Sequence, residues 1–203
     1  WIIDGYAMTK DYYWRIFFKT KVTDEDKKLL EVNRTFAYNE EFSNPDDYVK
    51  KTIGYFDFEK VNSTFVNPLF QDSSIFLSPP FSCKITKELI YSPTLEIPYS
   101  SITKKEHAWL KVSVDYFPIF ELKESNACIV IHFTHKGKFI NKYKGIKLGK
   151  DGFTLNQWNH QEEFYLTPYP LSLDDKLKVF VYSIGNKEIY IDNLHIEAYE
   201  RKW

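Results

Sequence analysis

The chain has 203 residues, of which 43% are hydrophobic, 27% are charged and 18% are aromatic. This size allows one large hydrophobic core, or one core with a small appendage. A net charge of -1 excludes the broad positive field with which a protein attracts nucleic acid, so we expect no nucleic-acid partner. The high aromatic content, with 7 glycines and 1 methionine, favours strands over helices.

The first 50 residues differ from the rest of the chain. A capped helix start is predicted at Thr23–Leu30, where a threonine and three acids precede two lysines and two leucines. Aromatic and basic residues are mixed from Trp1 to Lys21, which is typical of a segment next to a membrane. Packing of these rings against the main domain is the alternative. Because the chain begins at Trp1 rather than Met, we expect it to be a processed or trimmed piece.

A turn cluster, Ser43–Asp47, predicts the boundary between an N-terminal segment, residues 1–50, and a domain, residues 51–203. From Thr52 onward the pattern predicts strands. Gly54–Glu59 alternates Tyr55, Asp57 and Glu59 with Phe56 and Phe58. The clearest strand is Ala108–Tyr116, in which apolar leucine and valine residues alternate with polar ones.

Later segments complete a predicted set of strands. Ala127–Phe133 is apolar on both faces, which places it in the centre of a sheet. Further strands are predicted at Glu163–Leu166 and Leu177–Ser183, and Ile184–Lys187 is a hairpin signal that joins the latter to the closing strand. Strands at this spacing predict an antiparallel β-sandwich of jelly-roll type, preceded by a short, partly helical N-terminal segment.

The closing stretch contains a predicted irregularity. Ile189 and Ile191 share one face of a strand, whereas Leu194, Ile196 and Ala198 have the opposite parity. One buried face is kept if Asp192-Asn193 absorb an extra residue, as a bulge or a left-handed Asn. The Asp192 carboxylate is then either re-aimed by the bulge or bonded to nearby backbone amides, as turn acids commonly are.

The two cysteines, Cys83 and Cys128, lack the spacing of metal ligands. Cys128 lies in the apolar run Ala127–Ile131, so we expect it to be buried. A Cys83–Cys128 disulfide in an oxidising compartment remains an open alternative.

The sequence lacks the motifs of common enzyme classes, including Gly-x-Ser-x-Gly and a complete phosphate loop. His132 and His135 are three apart on a predicted strand, which places their rings on opposite faces and argues against a shared metal. Glu162 and Glu163 are adjacent and diverge, so they cannot flank one glycosidic bond. We therefore predict no catalytic residues.

Residues from about 54 to 203 resemble the galactose-binding-like jelly rolls that include many carbohydrate-binding modules. The resemblance rests on the order of four pieces, which are Tyr55–Glu59, Trp158 before Phe164–Leu166, Leu177–Tyr182 and Ile189–Asn193. It implies a structural calcium between Glu59 and Asp192, with Asp57 as a further ligand. Calcium prefers six to eight oxygens, and Lys60 stands where the family commonly has a glycine.

The resemblance also implies that exposed aromatic rings stack on sugars, and the candidates are Trp109, Tyr143, Trp158 and Tyr169. Trp158 is also expected to fill the core. We therefore expect a non-catalytic, carbohydrate-binding, extracytoplasmic domain, periplasmic or at the cell surface. It would be the soluble, membrane-proximal part of a larger bacterial protein, such as a membrane glycosyltransferase or a surface lipoprotein. One alternative is a structural or protein-interaction domain without a sugar site, and the other is a glycan-active enzyme.

Overall fold

A computed structural model of the chain describes residues 42, 44–59, 68–122, 126–136, 138–184 and 188–202. The helix predicted at Thr23–Leu30 and the aromatic and basic segment Trp1–Lys21 lie outside these residues. Ten strands are formed within the described ranges. They are β1 (Tyr48–Phe56), β2 (Gln71–Asp72), β3 (Ser82–Ile85), β4 (Leu95–Pro98), β5 (Trp109–Pro118), β6 (Cys128–His135), β7 (Lys138–Lys147), β8 (Asn159–Leu166), β9 (Lys176–Tyr182) and β10 (Ile189–Arg201).

The strands form two antiparallel sheets. Sheet A has the order β2-β3-β10-β5-β8, and β1 pairs with the C-terminal half of β10. Sheet B has the order β4-β9-β6-β7. Both sheets contribute to one hydrophobic core, so the predicted antiparallel β-sandwich is confirmed. Three short 3-10 helices, Pro45–Asp47, Pro68–Phe70 and Tyr99–Ser101, complete the described elements.

Alternation of side chains between the two faces of each strand builds the core. Leu110, Val112 and Val114 of β5 are fully buried, and so are the alternate residues of β9, Leu177, Val179 and Val181. Full burial of one such side chain contributes roughly 1.5–3 kcal/mol. The intervening residues lie on the outer faces of the sandwich, and these two outer faces are the surfaces available for function.

The predicted irregularity in the last strand is present. The pairing of β10 with β5 shifts register between Asp192 and His195, and Asn193 has a φ of 50°. The apolar residues before and after the shift all belong to the same core. The bulge therefore keeps one face of the 13-residue strand buried from Ile189 to Ala198.

The hairpin predicted between β9 and β10 is wrong. β9 pairs with β4 and β6 in sheet B, whereas β10 pairs with β1, β3 and β5 in sheet A. A local turn pattern indicates a reversal of the chain, but it does not determine which strand becomes the neighbour. From opposite sheets, β9 and β10 both bury their apolar residues in the one core.

The predicted domain boundary falls within a strand. Asn44 caps the helix Pro45–Asp47, since its side-chain oxygen accepts a hydrogen bond from the Asp46 amide at 3.2 Å. This confirms a turn there, but β1 already begins at Tyr48 and runs across the 50/51 division. The division into a 1–50 segment and a 51–203 domain stays a prediction.

Both cysteines are free thiols and both are buried. Burial of Cys128 was predicted, and it lies on β6 of sheet B, whereas Cys83 lies on β3 of sheet A. The disulfide alternative is therefore not formed. Within the described part of the chain, none of the helices has the length and apolar character that crossing a bilayer requires.

Candidate functional site

The four predicted sugar-stacking residues lie in different places. Trp109 and Trp158 flank opposite ends of β8 on the outer face of sheet A. Tyr169 follows β8 in a loop, with its ring centroid 6.1 Å from that of His107. Tyr143 lies on β7 in sheet B. The structure therefore does not bring the four residues together.

Trp109 is 9% exposed. It packs with Tyr48 and Tyr199 in an aromatic cluster outside the main core, and the Phe42 ring lies edge-on to it at 5.9 Å. A ring covered in this way cannot stack on a sugar, so Trp109 belongs to the packing of sheet A.

Trp158 is partly buried and lies outside the main core. Its indole Nε1 donates a hydrogen bond to the carbonyl oxygen of Phe76 at 3.2 Å, and its ring contacts Phe117 at 5.6 Å. The expectation that Trp158 fills the core is wrong. At this position the indole N–H has a backbone acceptor, as a largely buried tryptophan usually does.

A set of aromatic rings with two half-exposed members covers the outer face of sheet B. Tyr143 is 52% exposed and Tyr91 is 49% exposed. Phe180 and Tyr182 lie beside them because their neighbours Leu177, Val179 and Val181 point into the core. We call the four residues, Tyr91, Tyr143, Phe180 and Tyr182, the aromatic face.

Backbone pairing fixes one end of the aromatic face. Tyr91 forms an antiparallel bridge with Tyr182, flanked by hydrogen bonds from the Ser92 amide to the Val181 carbonyl and from the Ser183 amide to the Ile90 carbonyl. This is the non-hydrogen-bonded type of pair, in which side chains approach most closely. The Tyr91 ring accordingly stacks on Tyr182 at 5.3 Å and meets the edge of Phe180 at 5.6 Å.

A glycine positions the ring at the other end. A Cβ atom on Gly145 would lie 3.3 Å from Cε1 of Tyr143 and 3.5 Å from its hydroxyl oxygen. The Tyr143 ring therefore lies against the backbone at Gly145, and such a close approach is a known use of glycine within a strand. Its hydroxyl reaches the buried Cys128 thiol, and burial together with the nearby thiol and Tyr182 raises the pKa of Tyr143.

The rings span most of the sheet. Tyr182 lies opposite Cys128 on β6, and the Tyr143 ring approaches Cys128 from β7. From the Tyr91 bridge through β9 and β6 to β7 there are three inter-strand spacings, about 14 Å in all. Val130, between Phe180 and Gly145, is 1% exposed, so the floor between the rings is apolar.

Polar groups border the aromatic face along the next row of the sheet. His132 lies between Lys178 and Tyr143, and its ring is 6.3 Å from that of Tyr143. Burial and the Lys178 cation lower the pKa of His132, so the imidazole is neutral near pH 7. Glu96 binds two cations, the Lys176 ammonium at 2.6 Å and the Lys178 ammonium at 2.8 Å.

Of the three acids implied as calcium ligands, Asp192 and Asp57 accept hydrogen bonds from nearby backbone amides. Oδ2 of Asp192 accepts hydrogen bonds from the Leu77 and Ser78 amides and the Ser78 hydroxyl, and Oδ1 accepts one from the Asn193 amide. Asp57 accepts a hydrogen bond from the Glu59 amide at 3.2 Å. The alternative in which Asp192 bonds backbone amides is therefore the one that the structure contains.

These residues do not fit a calcium shell. Asp192 is fully buried, and burial raises the pKa of its carboxyl although four donors favour the ionised form. In the part of the chain described here, no three His, Cys, Asp or Glu side chains lie close enough to share an ion. Calcium binding therefore stays a prediction without geometric support.

The bulge instead anchors a hydrogen-bonded network on the outer face of sheet A. The Asn193 side chain accepts a hydrogen bond from the Tyr55 hydroxyl at 2.7 Å and donates one to Asp115 at 3.0 Å. Asp115 also bonds Nδ1 of His160 at 2.7 Å. Elsewhere, Nδ1 of His135 bonds Asp175 at 2.6 Å, whereas the His132 ring lies beside Tyr143.

Sequence reasoning found one of the four aromatic-face residues, Tyr143. Phe180 and Tyr182 could have been predicted, because they alternate with core residues in a predicted strand. Tyr91 could not have been predicted, because a residue in a single bridge belongs to no periodic sequence pattern.

Comparisons with solved structures find remote similarities. The chain is similar to the C-terminal family 22 carbohydrate-binding module of Clostridium thermocellum Xyn10B, at 16% identity over 71% of this chain and 91% of that one, with a TM-score of 0.49. It is also similar to the CBM22-1 xylan-binding domain of Paenibacillus barcinonensis Xyn10C, at 10% identity over 75% and 97%, with a TM-score of 0.49.

A third similarity is to the VP2 subviral particle of infectious bursal disease virus, at 9% identity over 75% of this chain and 33% of that one, with a TM-score of 0.39. No protein-family model and no curated protein matches the chain. Similarities this remote reach proteins of unrelated roles, so they do not identify a ligand. The chain is a β-sandwich whose function must be argued from its own surfaces.

Proposed function

We propose that this chain is a non-catalytic carbohydrate-binding domain and that it binds glycans on the aromatic face of sheet B. The observation that supports this most directly is the pair of half-exposed rings, Tyr91 and Tyr143, at the two ends of that face. Tyrosine offers an apolar ring and a hydroxyl together. Stacking against the C–H face of a sugar uses the first, and hydrogen bonding to sugar hydroxyls uses the second.

The rings are held in place before any ligand arrives. Tyr91 is fixed by the bridge to Tyr182, and Tyr143 lies against Gly145. Rigid aromatic anchors lose little conformational entropy on binding, which is why such residues dominate recognition surfaces. A span of about 14 Å accommodates more than one sugar ring, so an oligosaccharide suits this face better than a monosaccharide.

The biological setting belongs to the same proposal. We infer an extracytoplasmic accessory domain within a larger, membrane-linked bacterial protein, such as a glycosyltransferase or a surface lipoprotein. Its support is the mixture of aromatic and basic residues from Trp1 to Lys21, which is typical of membrane-proximal segments. Sequencing the complete gene tests this setting, and a gene with no membrane segment, lipid-attachment motif or export signal would contradict it.

A glycan array on the purified chain tests carbohydrate binding, with three proteins compared. They are the wild type, Tyr143→Ala and Tyr55→Ala. Tyr55 is the matched control because it is 54% exposed but lies on β1 of sheet A. Removal of one stacking ring is expected to weaken binding about tenfold, within the range measured for aromatic anchors.

The expected result is reproducible binding to one class of glycan, weakened about tenfold in Tyr143→Ala and unchanged in Tyr55→Ala. Equal loss in both variants would contradict the assignment of the site to sheet B. No binding by any of the three proteins would contradict the function, and it would favour the alternative of a structural or protein-interaction domain.

A further inference from the structure

The charge of the aromatic face differs from that of the whole chain. The chain has a net charge of -1, whereas the outer side of sheet B presents Lys147, Lys176 and Lys178. Among the four strands of sheet B as described, Glu96 is the only carboxylate, and it already pairs with Lys176 and Lys178. Three ammonium groups against one carboxylate leave an excess of two positive charges.

Two of these lysines lie in the same rows as the rings. Lys147 lies opposite Cys128, which lies opposite Tyr182. The Lys147 cation is close enough to act on the Cys128 thiol. Burial raises the pKa of this thiol, and Tyr143 and Lys147 partly oppose that rise. Lys178 belongs to the row of His132 and Tyr143. Lys147 therefore shares a row with Tyr182, and Lys178 shares a row with Tyr143.

The available charge differs between the two lysines. Lys147 is exposed, and among the described carboxylates it has no ion-pair partner. Lys178 shares Glu96 with Lys176, so one of these two cations is not neutralised. His132 adds no charge near pH 7, because its pKa is lowered.

We propose that the aromatic face selects anionic glycans, specifically oligosaccharides of uronic acids, over their neutral counterparts. This inference rests on the proposed function and names its ligand class. The rings stack on the sugar rings, and the carboxylates of the uronate units pair with Lys147 and Lys178. Flexible lysine ammonium groups act as point charges, which tolerate the varied positions of carboxylates along a polymer.

A matched pair of ligands tests the inference by titration calorimetry. The first is an oligogalacturonate, and the second is the same oligosaccharide after its carboxylates have been reduced to primary alcohols. Each exposed ion pair is expected to contribute a factor of about 2–5, so the oligogalacturonate should bind about tenfold more tightly at low salt. The difference should fall below about twofold at 0.5 M salt, where the Debye length is only a few ångströms.

Variants locate the effect. Lys147→Gln is expected to weaken oligogalacturonate binding about threefold and to leave binding of the reduced oligosaccharide unchanged. Lys104→Gln removes the same charge from an exposed loop outside sheet B and is expected to change neither affinity. Equal affinities of the wild type for both oligosaccharides at low salt would overturn the inference.

Further arms separate failure of the inference from failure of the proposed function. If both oligosaccharides bind equally and Tyr143→Ala weakens both, glycan binding stands and selection for charge is wrong. If neither binds, and no other glycan binds, both proposals are wrong. If polyglutamate binds as tightly as oligogalacturonate, charge alone accounts for the binding and the inference is overturned.

Discussion

The two outer faces of the sandwich use similar residues in different ways. On sheet A, Tyr48, Trp109 and Tyr199 are buried beneath Phe42, and Asp115 bonds both Asn193 and His160. On sheet B, Tyr91 and Tyr143 remain about half exposed. The comparison shows that the number of aromatic residues on a face says little about binding. What matters is whether the protein itself already occupies the rings and polar groups.

The largest expected effect concerns the covered rings of sheet A. Trp109→Ala leaves a void among Phe42, Tyr48 and Tyr199 and should lower the free energy of unfolding by about 3 kcal/mol. Tyr143→Ala, which removes an exposed ring, should lower it by less than about 1 kcal/mol. Denaturant titration of both variants measures this difference. Similar losses in both would erase the distinction between the two faces.

Displacement of one exposed ring sharpens the comparison further. In Gly145→Val the new side chain occupies the position of the Tyr143 ring, while valine suits a strand. Glycan affinity is expected to fall about fivefold, within the range for loss of a positioned anchor, with little change in stability.

The double variant Gly145→Val, Tyr143→Ala provides the control. If Gly145 acts through Tyr143, the double variant binds no more weakly than Tyr143→Ala alone, because effects that share one ring are not additive. Fully additive losses would show that Gly145 acts by another route.

A buried carboxylate on sheet A predicts a pH dependence. Burial alone would raise the pKa of Glu197, but hydrogen bonds from Lys50 and Tyr199 outweigh it and hold this pKa below its usual value. Burial, together with its hydrogen bond to Glu197, raises the pKa of Tyr199 to about 12. A lowered carboxyl pKa stabilises the fold above the unfolded value of 4.5, and this contribution is lost as the pH falls through the folded value.

Glu197→Gln should therefore lower the free energy of unfolding by about 1–2 kcal/mol at pH 7, and the gap to wild type should narrow below pH 4. The control is Glu121→Gln, which changes an exposed side chain and should shift stability by less than about 0.5 kcal/mol at either pH. A gap for Glu197→Gln that does not change with pH would contradict the charged hydrogen bonds.

The smallest expected effect concerns calcium. Because Asp192 already accepts four hydrogen bonds, thermal melts with calcium and with a chelator should coincide. A ligand that binds only the native state raises the melting temperature, so a shift of several degrees would restore the calcium predicted from the resemblance.

Much of the fold followed from the sequence because strand burial repeats every two residues. Alternation located β5, a run that is apolar on both faces located the central strand β6, and a parity mismatch located the bulge at Asp192-Asn193. The pairing of strands was harder to predict, as the wrong β9–β10 hairpin shows. Pairing between distant strands depends on the whole core and not on the turn between them.

The candidate site could be predicted only in part, for the same reason. Whether a ring is exposed depends on residues far away in sequence. Phe42 covers Trp109, which no local pattern could indicate. In contrast, Gly145 leaves room for Tyr143 two residues away on the same strand. The sequence therefore identified Tyr143 but also nominated Trp109, which lies under another ring.

The most direct test of the central claim is chemical-shift mapping of the chain with a bound oligosaccharide. Binding on the aromatic face predicts perturbations concentrated at Tyr91, Tyr143, Phe180 and Tyr182, with few on sheet A. Perturbations concentrated instead around Tyr55 and His160, or around Phe117 and Trp158, would contradict the assignment and move the site to the opposite face of the sandwich.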